Sequence, residues 1–332
     1  MKSLLYWLVS IIGITVIVSS CADCPPATTD FEKIRQALNV SPCSNGYLTS
    51  SSSSSSSSTT TSTSGNGLFL AVGNSGNIVR STDNGSSFDN ATSSTANRLR
   101  GVTFGNDIFV AVALSGNIVR STDNGSSFDN VTSPTDKNLW GIEFGNDIFV
   151  AVGNSGNIVR STDNGSTWDN ATSPTSNALR GVTFGNEIFV AVGASGNIVR
   201  STDNGSTWDN ATSPTSNALR GVTFGNDIFV AVALSGNIVR STDNGSTWDN
   251  ATSPTGETLM GVTFGNDIFL AVAVSGNILR STDNGSSFDN ATSPTSNSLI
   301  GVTFGNDIFV GVGASGNIVR STDNGSSFDN AT

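Results

Sequence analysis

The chain has 332 residues and a formal net charge of −11 at pH 7, with 15 Lys and Arg against 26 Asp and Glu. That balance leaves no basic stripe to meet phosphates and excludes a nucleic-acid partner. Three cysteines and no histidine also exclude zinc and haem sites built on those ligands, and no cofactor motif takes their place.

Residues 1–20 carry one positive charge, at Lys2, and an apolar run of 15 residues over positions 4–18. A run of that length is short for a membrane-spanning helix of about 20 residues and fits a signal-peptide core. The segment Val18-Ser19-Ser20-Cys21 resembles a bacterial lipobox. The resemblance implies cleavage before Cys21, acylation of its thiol, and an exported chain held in the cell envelope (outer membrane, periplasmic or surface side) by lipid alone. Two or three acyl chains anchor stably where a single chain does not. Loss of Lys2 with the signal would take the net charge to −12.

Residues 21–48 form a short N-terminal segment. Cys24 and Cys43 make an even pair suited to a disulfide in an exported protein, and the alternative is two free thiols in a loose stalk. Within that loop Thr29-Asp30-Phe31-Glu32 reads as a capping box opening a short helix with Phe31, Ile34 and Leu38 on one face. Residues 49–64 are an unbroken run of 16 Ser and Thr. With no apolar side chain to bury, the run predicts a disordered linker with a mean reach of about 20–25 Å.

From residue 65 to 332 the chain repeats every 40 residues. In the unit 177–216, four strands can be read: A over 179–184, B over 188–192, C over 197–201 and D over 206–211. Strand B is apolar on both faces, as in a strand sandwiched between neighbouring sheets. Asp203-Asn204-Gly205 supplies the positive φ that a tight hairpin requires. Four short strands per unit of this length predict an all-β, seven-bladed β-propeller, with a β-solenoid as the rival. The first unit is incomplete. Its strand A falls in 61–64, with Ser62 and Ser64 aligned to Val102 and Phe104. Either the Ser/Thr tract supplies that strand, or the ring needs a further Leu-x-Gly-Val-Thr-Phe segment and the chain is a fragment of a longer array. The sequence leans towards the second.

The motif Ser-x-Asp-x-Gly-x-x-(Trp/Phe) recurs seven times, with its aspartates at Asp83, Asp123, Asp163, Asp203, Asp243, Asp283 and Asp323. It resembles the Asp-box of BNR-repeat propellers over the whole of 65–332. The resemblance implies a structural turn between strands C and D: the carboxylate accepts turn amides, the glycine permits the backbone and the aromatic packs in the core. A lone carboxylate among amides is a sparse calcium shell, so no metal is expected. Sialidases share this box, but they need an arginine triad, a Tyr/Glu pair and an aspartate. The only tyrosines here are Tyr6 and Tyr47, both before the repeats. Photosystem II assembly-factor-like and sortilin-type propellers share the box without catalysis. Sequons such as Asn90-Ala91-Thr92 follow the period and read as turn chemistry.

Differences among the copies concentrate at two places. The second residue of strand A is Arg100, Trp140, Arg180, Arg220, Met260 or Ile300, and the B–C turn opens with Asn74, Leu114, Asn154, Ala194, Leu234, Val274 or Ala314. In an up-and-down blade these positions share one face, opposite the C–D turns. Arg100, Trp140, Arg180 and Arg220, with Glu143 where other copies have threonine, are the candidate ligand-binding residues, suited to an anionic or sugar-like ligand or a protein loop. The reading is a monomeric, non-enzymatic, lipid-anchored scaffold that binds an envelope protein or glycan through this face. An envelope glycoside hydrolase and a recently amplified display or spacer array are the alternatives.

Overall fold

The computed structural model describes residues 61–63 and 67–331. The signal segment, Cys21, the Cys24–Cys43 pair, the capping-box helix and most of the Ser/Thr tract lie outside the described residues. Those described form a seven-bladed propeller of antiparallel sheets. In the fourth blade, counted by the repeated turn, strand A is Leu179–Gly185, B is Ile188–Gly193, C is Ile198–Ser201 and D is Asp209–Asn210. A sits innermost and D outermost.

Strand A and B boundaries match the sequence reading to within one residue, because alternation and turn glycines fix them. Strand D does not. The Thr207 amide donates to Asp203 Oδ1 at 2.9 Å, and Thr207 also bridges in parallel to Thr172 in the linker from the preceding blade. Residues 206–207 are therefore held by the turn and the neighbouring linker, and only two residues remain to pair with strand C.

Strand B is buried along its whole length, and the core lies between blades. Ile148, Val150, Val152 and Ile158 of one blade meet Leu179, Val182, Phe189, Ala191, Val199 and Trp208 of the next. Burying each large side chain contributes roughly 1.5–3 kcal/mol, and the pattern recurs around the ring. The inner strands approach closely because strand A carries glycine where it faces its neighbour. A Cβ on Gly185 would run into the ring of Phe224, so that ring packs flat on backbone.

The first blade takes its inner strand from the Ser/Thr tract, as Thr61–Thr63. Its register differs from the sequence alignment by one residue. Thr61 pairs with Ala71 and Thr63 with Phe69, whereas Val102 pairs with Ala111 and Phe104 with Phe109. Thr61 and Thr63 thus stand where Ser62 and Ser64 were expected, in place of Val102 and Phe104. A strand without apolar alternation has little to pin its register. The ring closes between blades seven and one: Asn306 Nδ2 donates to Asn84 Oδ1 at 3.1 Å and Arg320 Nε to the Asn84 carbonyl at 2.8 Å.

Candidate functional site

Strand pairing places the two ends of every blade on opposite faces of the disk. Leu179 at the start of A lies beside Gly193 at the end of B, so the D–A linkers and B–C turns share one face. The A–B and C–D turns share the other, where Asn186 Nδ2 donates to Asp227 Oδ1 and Asn244 Oδ1 of the next blade, each at 3.1 Å.

On that second face the aspartate of each repeated turn is bonded within its own turn. The Ser201 hydroxyl donates to Asp203 Oδ1 at 2.8 Å and accepts the Gly205 amide at 2.9 Å. Thr207 donates its hydroxyl to Asp203 Oδ2 at 2.7 Å, and Trp208 Nε1 donates to the Gly205 carbonyl at 3.1 Å. Asn204 and Gly205 both have positive φ, 58° and 76°. Both oxygens of the Asp203 carboxylate accept bonds from within its own turn. Asp83, Asp123, Asp163, Asp243, Asp283 and Asp323 repeat the pattern. Among the described residues no three acidic or cysteine side chains converge on a metal position.

The same bonds hold these carboxyls below the ordinary range. The Ser87 hydroxyl and amide, then Ser81, bring Asp83 down to about 2. At Asp123 and Asp323 burial pushes upward, yet donation from Ser127 and Ser327 and their neighbours brings each to about 2. A folded pKa below the unfolded value of 3.8 means stability that is complete above about pH 4 and lost as pH falls towards about 2. The urea midpoint is therefore expected to be level from about pH 7 to 5 and to drop steeply below about pH 4. A level profile down to pH ~2 would show that these bonds do not stabilise the fold.

The first face carries the variable residues, and the structure brings four of them into one arc across blades two to five. The Arg100 guanidinium lies over the Trp140 ring, 4.5 Å from its centroid, and Arg180 lies 5.4 Å from the same ring. Trp140 Nε1 donates to Asn154 Oδ1 at 2.6 Å, which joins the two variable positions of that blade. Arg220 continues the arc, close enough for the Arg180 charge to act on it. Each of these residues sits where strand A bulges, as Trp140 does between Leu139 and Gly141, and the extra residue re-aims its side chain.

Burial differs along the arc. Arg100 is only 4% exposed, and Trp140, Arg180 and Arg220 are half-buried. Burial pushes Arg100 down to about 10, with Arg98 and Arg180 adding like-charge repulsion. Burial also lowers Arg180, and burial together with the Arg180 charge lowers Arg220. Arg100 Nε and Nη1 are buried and make no hydrogen bond. Across the mouth, the equivalent Met260 and Ile300 are buried and apolar. Among the six described positions, four are cationic or aromatic and two are aliphatic.

Glu143 is placed differently. It is buried on the same strand as Trp140, three residues nearer the second face, and its Oε1 accepts the Phe144 amide at 3.1 Å. It occupies the row of buried threonines that includes Thr183 and Thr223. Sequence reasoning missed the blade-to-blade role of the A–B turn asparagines, although Asn106, Asn146, Asn186, Asn226, Asn266 and Asn306 all donate to the next blade. Their strict recurrence in the sequence was the available signal.

No protein-family model and no curated protein matches the chain. Among solved structures, YCF48 bound to D1 peptide superposes with a TM-score of 0.65 at 18% identity, over 84% of this chain and 96% of that one. YCF48 from Cyanidioschyzon merolae gives 0.63 at 17%, again over 84% and 96%. The computationally designed Ika8 protein gives 0.62 at 15%, over 83% and 86%. These likenesses establish the fold.

Proposed function

We propose that the protein is a non-catalytic, envelope-anchored binding propeller that takes an acidic, partly apolar segment of a partner protein at the mouth formed by Arg100, Trp140, Arg180 and Arg220. The observation that carries this reading is the Arg100 guanidinium. It is buried and stacked on Trp140, and two of its nitrogens, Nε and Nη1, make no hydrogen bond. Buried donors without acceptors are unfavourable by about 1–3 kcal/mol each, and a carboxylate arriving at the mouth would satisfy them as charge-assisted bonds. The aliphatic pair Met260 and Ile300 favours a peptide over a glycan. The acidity of the chain does not oppose this, because the A–B turn carboxylates and the bonded Asp83-type carboxylates lie on the other face. A YCF48 propeller of the same fold is known with a bound peptide, which supports a protein partner.

Trp140 is a built-in reporter, since the tryptophans at 168, 208 and 248 are buried in the blade interfaces. Titration with hexaglutamate is expected to change its fluorescence saturably, while hexaglutamine does not. An Arg100/Arg180/Arg220→Ala variant should lose at least about tenfold in affinity, or about 1.4 kcal/mol. Equal binding of the two peptides, or undiminished binding by the variant, would sink the proposal.

A further inference from the structure

Each of the seven repeated turns contains an Asn-Gly pair, from Asn84-Gly85 to Asn324-Gly325. In an open chain this pair is chemically labile. The glycine amide nitrogen attacks the asparagine Cγ, and glycine lacks the Cβ that would obstruct the approach. The N–Cγ bond forms, the Cγ–Nδ2 bond breaks, and ammonia leaves with the glycine amide proton. Water then opens the succinimide at either carbonyl, leaving aspartate or isoaspartate.

Both reacting groups are tied down in this fold. The Gly205 amide donates to the Ser201 hydroxyl at 2.9 Å, and the amides of Gly85, Gly125, Gly165, Gly245, Gly285 and Gly325 make the same bond at 2.9–3.0 Å. The asparagine side chain is held from the preceding blade: Asn204 Oδ1 accepts Asn146 Nδ2 at 2.8 Å, and Asn164 Oδ1 accepts Asn106 Nδ2 at 3.0 Å. The glycine packs on that blade too, since a Cβ at Gly205 would lie 2.9 Å from Val150 Cγ2. Closing the succinimide ring requires backbone and side chain to rotate together, so the turn must first leave the neighbouring blade.

We propose that the repeated turns are modification sites concealed by the closed ring, whose asparagines deamidate only after a turn separates from the blade before it. The same contacts then oppose a return. Isoaspartate adds a carbon to the backbone between residues 204 and 205, where the amide must reach Ser201 and the chain lies against Val150. A molecule modified while open does not regain the native turn, and deamidation separates molecules that have opened from those that have stayed closed.

The test is peptide mapping by mass spectrometry of the full chain, incubated native or unfolded in guanidinium chloride. Asparagine loss at the repeated turns is expected to be at least about tenfold slower in the native protein. A Ser201→Ala variant removes the hydroxyl that holds the Gly205 amide. Its tryptic peptide 201–220 then differs in mass from peptide 161–180, which is identical to it in the wild type, so the unaltered turn at Asn164 is measured in the same digest. In the folded variant Asn204 should deamidate at least about fivefold faster than Asn164. A variant that fails to fold is recognised by all seven turns reacting alike, and the wild-type comparison then decides alone. Refolding of partly deamidated wild type should leave isoaspartate only in the fraction that stays unfolded. Equal rates in native and unfolded protein, a folded variant in which Asn204 is as slow as Asn164, or isoaspartate carried equally into refolded molecules would each overturn the proposal.

Discussion

Arg100→Met is expected to make the free protein more stable, by about 1–3 kcal/mol. The molecule already contains the comparison, because Met260 occupies the equivalent position and is also 4% exposed. In the wild type a guanidinium is kept at that depth with Nε and Nη1 unbonded, each unfavourable by about 1–3 kcal/mol. Against this stands its stacking on Trp140, which contributes about 0.5–2 kcal/mol. Removing the like-charge repulsion from Arg98 and Arg180 shifts the balance further towards methionine. Urea denaturation of the two proteins at pH 7 measures the difference. A destabilised Arg100→Met variant would mean that the arginine is a structural residue.

The second large effect lies in the blade interfaces. Phe189→Ala is expected to destabilise the propeller by about 3–5 kcal/mol, since the ring is fully buried and its loss leaves a cavity. Phe189 lies 4.6 Å from Phe184 and 6.4 Å from Trp208, and such aromatic pairs add about 0.5–1.5 kcal/mol beyond their area. Phe69→Ala in the first blade removes an equally buried ring that lacks the inner-strand partner. It should therefore cost less, by about 1 kcal/mol. Thermal or urea unfolding of the two variants gives the comparison, and equal losses would show that the interface between blades seven and one is packed like the others.

Much of the fold was legible because period and turn chemistry were. Leu179, Ile188 and the glycines after each strand fixed A and B, and Asp203-Asn204-Gly205 fixed the C–D turn. Strand D was misjudged because residues 206–207 can satisfy their amides in two ways, and the Asp203 carboxylate takes one of them. The register of Thr61–Thr63 could not be read, since threonine and serine alternate without a face. At the candidate site, comparing the copies picked out four residues that the structure gathers into one arc, but not the depth at which they lie. The bulge that turns Arg100 inward over Trp140 is a backbone irregularity that no single repeat announces. The pairing of Trp140 with Asn154 was likewise hidden, although both had been noted as variable.

If the arginine–tryptophan arc binds an acidic segment, as proposed, it does so at the expense of stability. Urea unfolding of wild type and Arg100→Met, each with and without hexaglutamate, tests it most directly. The predicted result is a variant more stable than wild type without the peptide and no longer stabilised by it, with affinity lower by at least about tenfold. A variant that is less stable, or that responds to the peptide as the wild type does, would contradict the claim.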